Sequence, residues 1–252
     1  MNPTRLFCTF FISLCSLISA CTPGSGEGLD DNGDPITSAT QTIPLRADFA
    51  SIQANIFTPN CALSGCHAGA SAPLGLRLDA GNSFLLIFDQ DSSEDPGLKL
   101  INPGDADNSY LVRKIEGTAG TRMPKNLPAL PAEKTQAIRD WVANGALGPS
   151  LKSIQRNIFT PCTTCHFGAS PAGGMNLEAG QAWSNLVGIK RIFDPEIRVV
   201  AGSAAGSFLI DKLEGNNLGG ARGDRMPLSG PFLDQITIDA IRDWINQGAA
   251  DN

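Results

Sequence analysis

The chain is one unit written twice. Ser51 opens SIQANIFTP, and Ser153 opens SIQRNIFTP 102 residues later. Matching blocks then follow in the same order in both halves. GLRLDAG from Gly75 pairs with GMNLEAG from Gly174, and SYLVRKIEG from Ser109 with SFLIDKLEG from Ser207. RMP at Arg122 recurs at Arg225, and AIRDWVANGA from Ala137 recurs as AIRDWINQGA from Ala240. Differences in length fall between the blocks. A repeat of about 100 residues is a common size for one domain. The expectation is therefore two tandem domains, over residues 46–146 and 151–250, joined by a short hinge of LGPS.

Within each unit the apolar pattern is helical. Phe49, Ile52 and Ile56 fall at spacings of three and four, and Pro59 is expected to stop that opening helix just before Cys61. The closing helices carry Ile138, Trp141 and Val142 in one unit and Ile241, Trp244 and Ile245 in the other. Gly145 and Gly248 stand where a C-cap is expected. No alternating strand pattern stands out between them. With 27 glycines and 17 prolines in the chain, the fold class expected is mostly α: two small, helical, loop-rich domains, each with its first and last helices packed together. Large apolar residues are few for that size, so a bound apolar group is expected to complete each core.

The chain has two histidines, and each directly follows a cysteine. CTTCH, from Cys162 to His166, has the spacing of a c-type haem attachment site. In such a site two thiols add across the haem vinyl groups and the histidine ligates the iron. In the first unit four residues separate Cys61 from Cys66 before His67, but His67 occupies the repeat position of His166. Attachment through both cysteines, attachment through Cys66 alone and a Cys61–Cys66 disulfide all remain open there. A structural zinc site needs four ligands, and each unit offers three such residues. The sixth iron ligand cannot be a third histidine. Met123 and Met226 stand in the equivalent RMP segments, 56 and 60 residues after their histidines, and are the expected axial ligands. Met175 has Leu76 as its repeat partner and reads as core.

The first twenty residues read as an export signal, with Arg5 followed by an apolar run too short to span a membrane. Ile18-Ser19-Ala20-Cys21 resembles a bacterial lipobox, which makes Cys21 the expected lipid site. Residues 21–45, rich in Gly, Asp, Ser, Thr and Pro, read as a flexible tether. A periplasm-facing lipoprotein follows. Thr22 after the lipid cysteine favours the outer membrane by resemblance to enterobacterial sorting. The net charge of −6 becomes one unit more negative when Arg5 leaves. It argues against nucleic acid as a partner and suits a docking partner with a basic face.

Taken together, CxxCH, GLRLD, the block ending in SYLVRKI, RMP and the closing IRDW helix resemble the class I-like cytochrome c domains called planctomycete-type cytochrome c. The likeness covers nearly all of both halves and is looser in the second. It implies two covalently bound haem c groups, His/Met ligation and single-electron transfer between redox protein donors and acceptors. The CxxxxCH spacing departs from the family pattern. The competing expectations are a dihaem peroxidase, which would need an open iron position, the cytochrome subunit of a larger membrane redox complex, and a disulfide-stapled envelope lipoprotein.

Overall fold

The computed structural model describes residues 44–192 and 195–252. The export signal (1–20), the lipid site Cys21 and the tether up to residue 43 lie outside the described residues. No described helix is long and apolar enough to cross a membrane.

The described chain is helical, and among the described residues strand pairing is limited to isolated bridges. Helix α1 (Phe49–Ile52) starts where Asp48 Oδ1 accepts the Ser51 N–H at 2.8 Å. Its path continues as a π-helix over Gln53–Cys61. Pro59 therefore does not end the helix. A proline lacks the N–H that would continue the ladder, and side chains support the turn before it: Asn55 O receives Lys134 Nζ at 2.8 Å and Asn60 Nδ2 at 3.3 Å, and Ile56 O receives Asn60 Nδ2 at 2.9 Å. Cys61 consequently sits at the end of the helical path rather than in a loop after it. The folded body also begins slightly before the expected tether boundary: Ser51 Oγ donates to Pro44 O and accepts from the Arg46 N–H.

The first repeat goes on through α2 (Ser83–Ile87), α3 (Tyr110–Glu116) and α4 (Ala132–Ala143). The second follows the same plan. Helix α5 (Leu151–Ile154) is capped by Ser150, passes through a π segment over Gln155–Phe159 and ends in α6 (Thr160–Cys162). Then come α7 (Ala182–Leu186), α8 (Phe208–Glu214) and α9 (Gln235–Asn246). In each repeat the opening helix packs on the closing one, α1 on α4 and α5 on α9, as the sequence pattern predicts. Both closing helices end in the same double-bonded cap. Ala146 N–H reaches Trp141 O and Gly145 N–H reaches Val142 O, with Gly145 at φ 92°. Ala249 and Gly248 repeat this on Trp244 O and Ile245 O.

Two groups of buried side chains result, one from each repeat. Ile52, Ile56, Phe57, Ile87, Ile138 and Trp141 lie at the centre of the first, and Ile154, Leu186, Ile238, Ile241 and Trp244 at the centre of the second. All described residues nevertheless fall in one compact unit. The segment expected to be a hinge is the reason. Gly148, Pro149 and Ser150 are buried. Leu147 O accepts the Trp141 indole N–H at 3.0 Å, and the Gly148 N–H donates to Ser153 Oγ at 3.1 Å. Across the join, Arg156 Nη2 donates to Pro103 O at 3.0 Å, and Lys152 Nζ pairs with Asp89 at 2.6 Å. The joint is packed and hydrogen-bonded on both sides, which leaves no room for a swivel.

Candidate functional site

The two Cys-His elements have different lengths and the same backbone frame. The His166 N–H donates to Cys162 O at 3.0 Å, and the His67 N–H donates to Cys61 O at 3.1 Å. The two extra residues of CALSGCH are taken up by a turn in which the Cys66 N–H reaches Leu63 O at 2.9 Å. Gly65, at φ +76°, makes that turn possible, since a side chain there would be strained. The longer spacing thus leaves the relation between the first cysteine and the histidine unchanged.

Each imidazole is oriented by a backbone carbonyl nine residues further on. His67 Nδ1 lies 2.9 Å from Leu76 O, and His166 Nδ1 lies 3.2 Å from Met175 O and 3.0 Å from Ala172 O. A carbonyl can only accept, so Nδ1 carries a proton in each bond, which in a neutral imidazole leaves the lone pair on Nε2. This is the arrangement that presents a histidine to a metal. Met175 therefore contributes its backbone, while its side chain packs against the second core as expected.

The segment holding that carbonyl is itself pinned. Leu78 N–H reaches His67 O and Leu177 N–H reaches His166 O, both at 2.8 Å. Gln53 Nε2 then donates to Leu78 O at 2.9 Å, and Gln155 Nε2 to Leu177 O at 3.0 Å. In the second repeat the buried Arg198 adds bonds to Gly173 O and Gly174 O at 2.9 and 3.2 Å. None of these residues was singled out from sequence. The one available signal was that Gln53 and Gln155 stand at the same place in SIQxNIFTP.

The methionines are placed by the helix preceding them. The Met123 N–H donates to Lys114 O in α3 at 2.9 Å, and the Met226 N–H to Lys212 O in α8 at 2.7 Å. The arginine of each RMP segment closes the same helix end. Arg225 Nε donates to Leu213 O at 2.8 Å, and the Arg122 side chain lies over Gly117. A cation at a helix C-terminus also faces the negative end of its dipole.

In the first repeat the expected site residues converge. Cys61, Cys66, His67 and Met123 all line one cleft of about 420 Å³. Its walls are largely apolar, from Phe57, Leu76, Leu78, Leu100, Leu111 and Ile138. A volume of that size falls in the range of cofactor and ligand sites. Burial pushes the Cys61 thiol up to about 12, so it stays protonated at neutral pH. Burial also raises Cys162. In the second repeat Cys162 and Met226 pack, partly buried, against the core, and Cys165 is exposed. The four cysteines among the described residues are free, so neither a Cys61–Cys66 nor a Cys162–Cys165 disulfide is present. Among the described residues no three His, Cys, Asp or Glu side chains are grouped to hold a bare metal ion. Each repeat offers two thiols, one imidazole and one thioether, and in the first repeat they line a largely apolar cleft.

Comparison of the chain with protein-family models, with curated proteins and with solved structures finds no match.

Proposed function

We propose that this protein is a dihaem c-type cytochrome, a single-electron carrier made of two tandem cytochrome c-like domains and anchored to the cell envelope through a lipid on Cys21. The observation that carries the reading is the convergence of Cys61, Cys66, His67 and Met123, 62 residues apart at their extremes, on one apolar cleft. The matched hydrogen bonding of His67 and His166 supports extending it to both repeats.

In this reading Cys61 and Cys66, and Cys162 and Cys165, would hold the two haems through thioether links. When bound, the group supplies the one-electron couple of its iron. The protein does the rest. His67 and His166 offer Nε2 to the iron, and the carbonyls on Nδ1–H hold each ring in place and make it a better donor. Met123 and Met226 would each offer a soft thioether, a ligand that favours reduced iron and raises its potential. The leucine-rich wall of the first cleft excludes water. With the joint at Gly148–Ser150 packed on both sides, the two repeats hold a fixed relation to each other. Donor and acceptor proteins would meet an acidic surface through small transient interfaces.

The test is to express the chain with its N-terminal segment in a host that matures cytochromes c. Covalent haem per chain and the absorption spectra of both oxidation states are then recorded. Two haems per chain, each with the weak near-red ferric band of methionine ligation, is the expected result. A folded chain without covalent haem refutes the reading. Two haems with one high-spin iron would replace the carrier by a peroxide-reducing enzyme.

A further inference from the structure

The wall of the first cleft is not apolar throughout. Ser92, Glu94, Tyr110 and Lys114 also line it. Lys114 is a buried cation of that lining, 8% exposed, whereas Lys125 is exposed. Lys114 Nζ lies 2.9 Å from Glu94 Oε2, the Tyr110 hydroxyl donates to the same oxygen at 3.2 Å, and the ammonium sits 5.6 Å from the Tyr110 ring centre. The Glu94 side chain is 46% exposed, so its carboxylate can turn to water at little cost. A buried ammonium without an anion is expensive. Lys114 therefore needs either Glu94 or another carboxylate presented by whatever fills the cleft.

The second repeat places a lysine at the same position but holds it differently. Lys212 stands at the position of Lys114, and its carbonyl also takes the methionine N–H. Its ammonium is held by backbone carbonyls, Arg222 O at 3.2 Å and Asp224 O. Phe208, at the place of Tyr110, lies under Arg191 and Arg222 at 3.7 and 5.2 Å. Both repeats thus place a lysine ammonium on the very residue that anchors the methionine strand.

We propose that Lys114 and Lys212 bind the propionate carboxylates of the two haems, with Lys114 exchanging its Glu94 partner for a propionate when the cleft fills. This rests on the haem reading above. The vinyl groups that meet the cysteines and the two propionates leave opposite edges of the ring. Once the thioethers fix one edge, the carboxylates need a cation elsewhere on the wall. A paired propionate places less negative charge beside the iron, which favours Fe(II).

The full-length chain, matured with haem, is assayed first for haem per chain by the pyridine haemochrome spectrum and then by potentiometric titration. Lys114→Met is expected to keep two haems and lower one of the two midpoint potentials. Lys212→Met should lower the other, and Lys114→Arg should restore the parent value. Glu94→Gln removes the competing anion and should shift the first potential upward. Two haems with parental potentials in Lys114→Met overturn the proposal, as does a downward shift in both Lys114→Met and Glu94→Gln, which would mark mere loosening of the cleft. A parent chain lacking covalent haem overturns the haem reading instead, and the haem count separates the two failures.

Discussion

One difference between the repeats yields a stability prediction with a fixed sign. Gln53 and Gln155 make the same bond from Nε2, but their oxygens fare differently. Gln53 Oε1 accepts from the hydroxyl of Ser83, whereas Gln155 Oε1 is buried with no hydrogen-bond partner. The reason lies in the sequence: Ser83 is replaced at its repeat position by Ala182, itself 1% exposed. A buried acceptor left unpaired costs about 1–3 kcal/mol. Ala182→Ser restores the missing donor at the cost of fitting one extra oxygen, so a net gain of about 1 kcal/mol is expected. At this chain length that corresponds to a rise of roughly 2–4 °C in Tm. Ser83→Ala does the reverse in the first repeat and should cost about 1–3 kcal/mol. The assay is thermal unfolding followed by circular dichroism, on parent and variants of equal haem content. Shifts of the same sign in the two variants, or no shift in either, would refute the reasoning.

Other substitutions probe other parts of the molecule. Gly148→Ala places a Cβ 2.1 Å from Cε2 of Phe84, a ring already held by Phe49 at 4.8 Å and Phe88 at 4.9 Å; overpacking of about 1–3 kcal/mol should appear in denaturant melts. Gly97→Ala, whose Cβ would meet only Asp95 at 3.5 Å, should stay within about 0.5 kcal/mol and serves as the control. Asp234→Ala removes the cap of α9, where Oδ1 accepts the Thr237 N–H at 2.8 Å, and should cost about 1 kcal/mol at neutral pH. The hydrogen bonds from Thr237 hold the Asp234 carboxyl below the usual range, so its contribution is present above the ordinary aspartate pKa of about 4 and fades as acid protonates the folded form; a parent–variant stability gap that widens on acidification would contradict this. Met226→Ala should abolish the near-red band of one haem and lower its potential, and an unchanged spectrum would remove Met226 from the ligand set.

The closing helices and their glycine caps were readable because Trp141 and Trp244, with the apolar residues around them, keep a helical period and Gly145 and Gly248 follow at once. The pairing of first and last helices followed from the same faces. His67 and Met123 could be singled out because the repeat marked them, and the cleft unites them. Three features were not legible. Pro59 signals a stop by local rules, which cannot see Lys134, 75 residues on, donating to Asn55 O in the turn before it. LGPS has the composition of a hinge, and its packing rests on partners distant in sequence or on backbone groups, the Phe84 ring against Gly148 and the Trp141 indole on Leu147 O. The carbonyls of Leu76 and Met175, which orient the histidines, belong to the backbone and leave no mark on residue type.

The packed joint also decides where this chain can be cut. Leu147 completes the first repeat by accepting from Trp141, while Gly148 and Ser150 begin the second by binding Ser153. Gly148 also lies against the Phe84 ring of the first repeat, and Ser153 Oγ donates back to Ala146 O, so residues 146–148 serve both repeats. A fragment ending at Ala146 would leave a buried indole N–H without its acceptor, and one beginning at Leu151 would lose the cap of α5. A first half produced alone must therefore run through Gly148, and a second half must begin no later than Ala146.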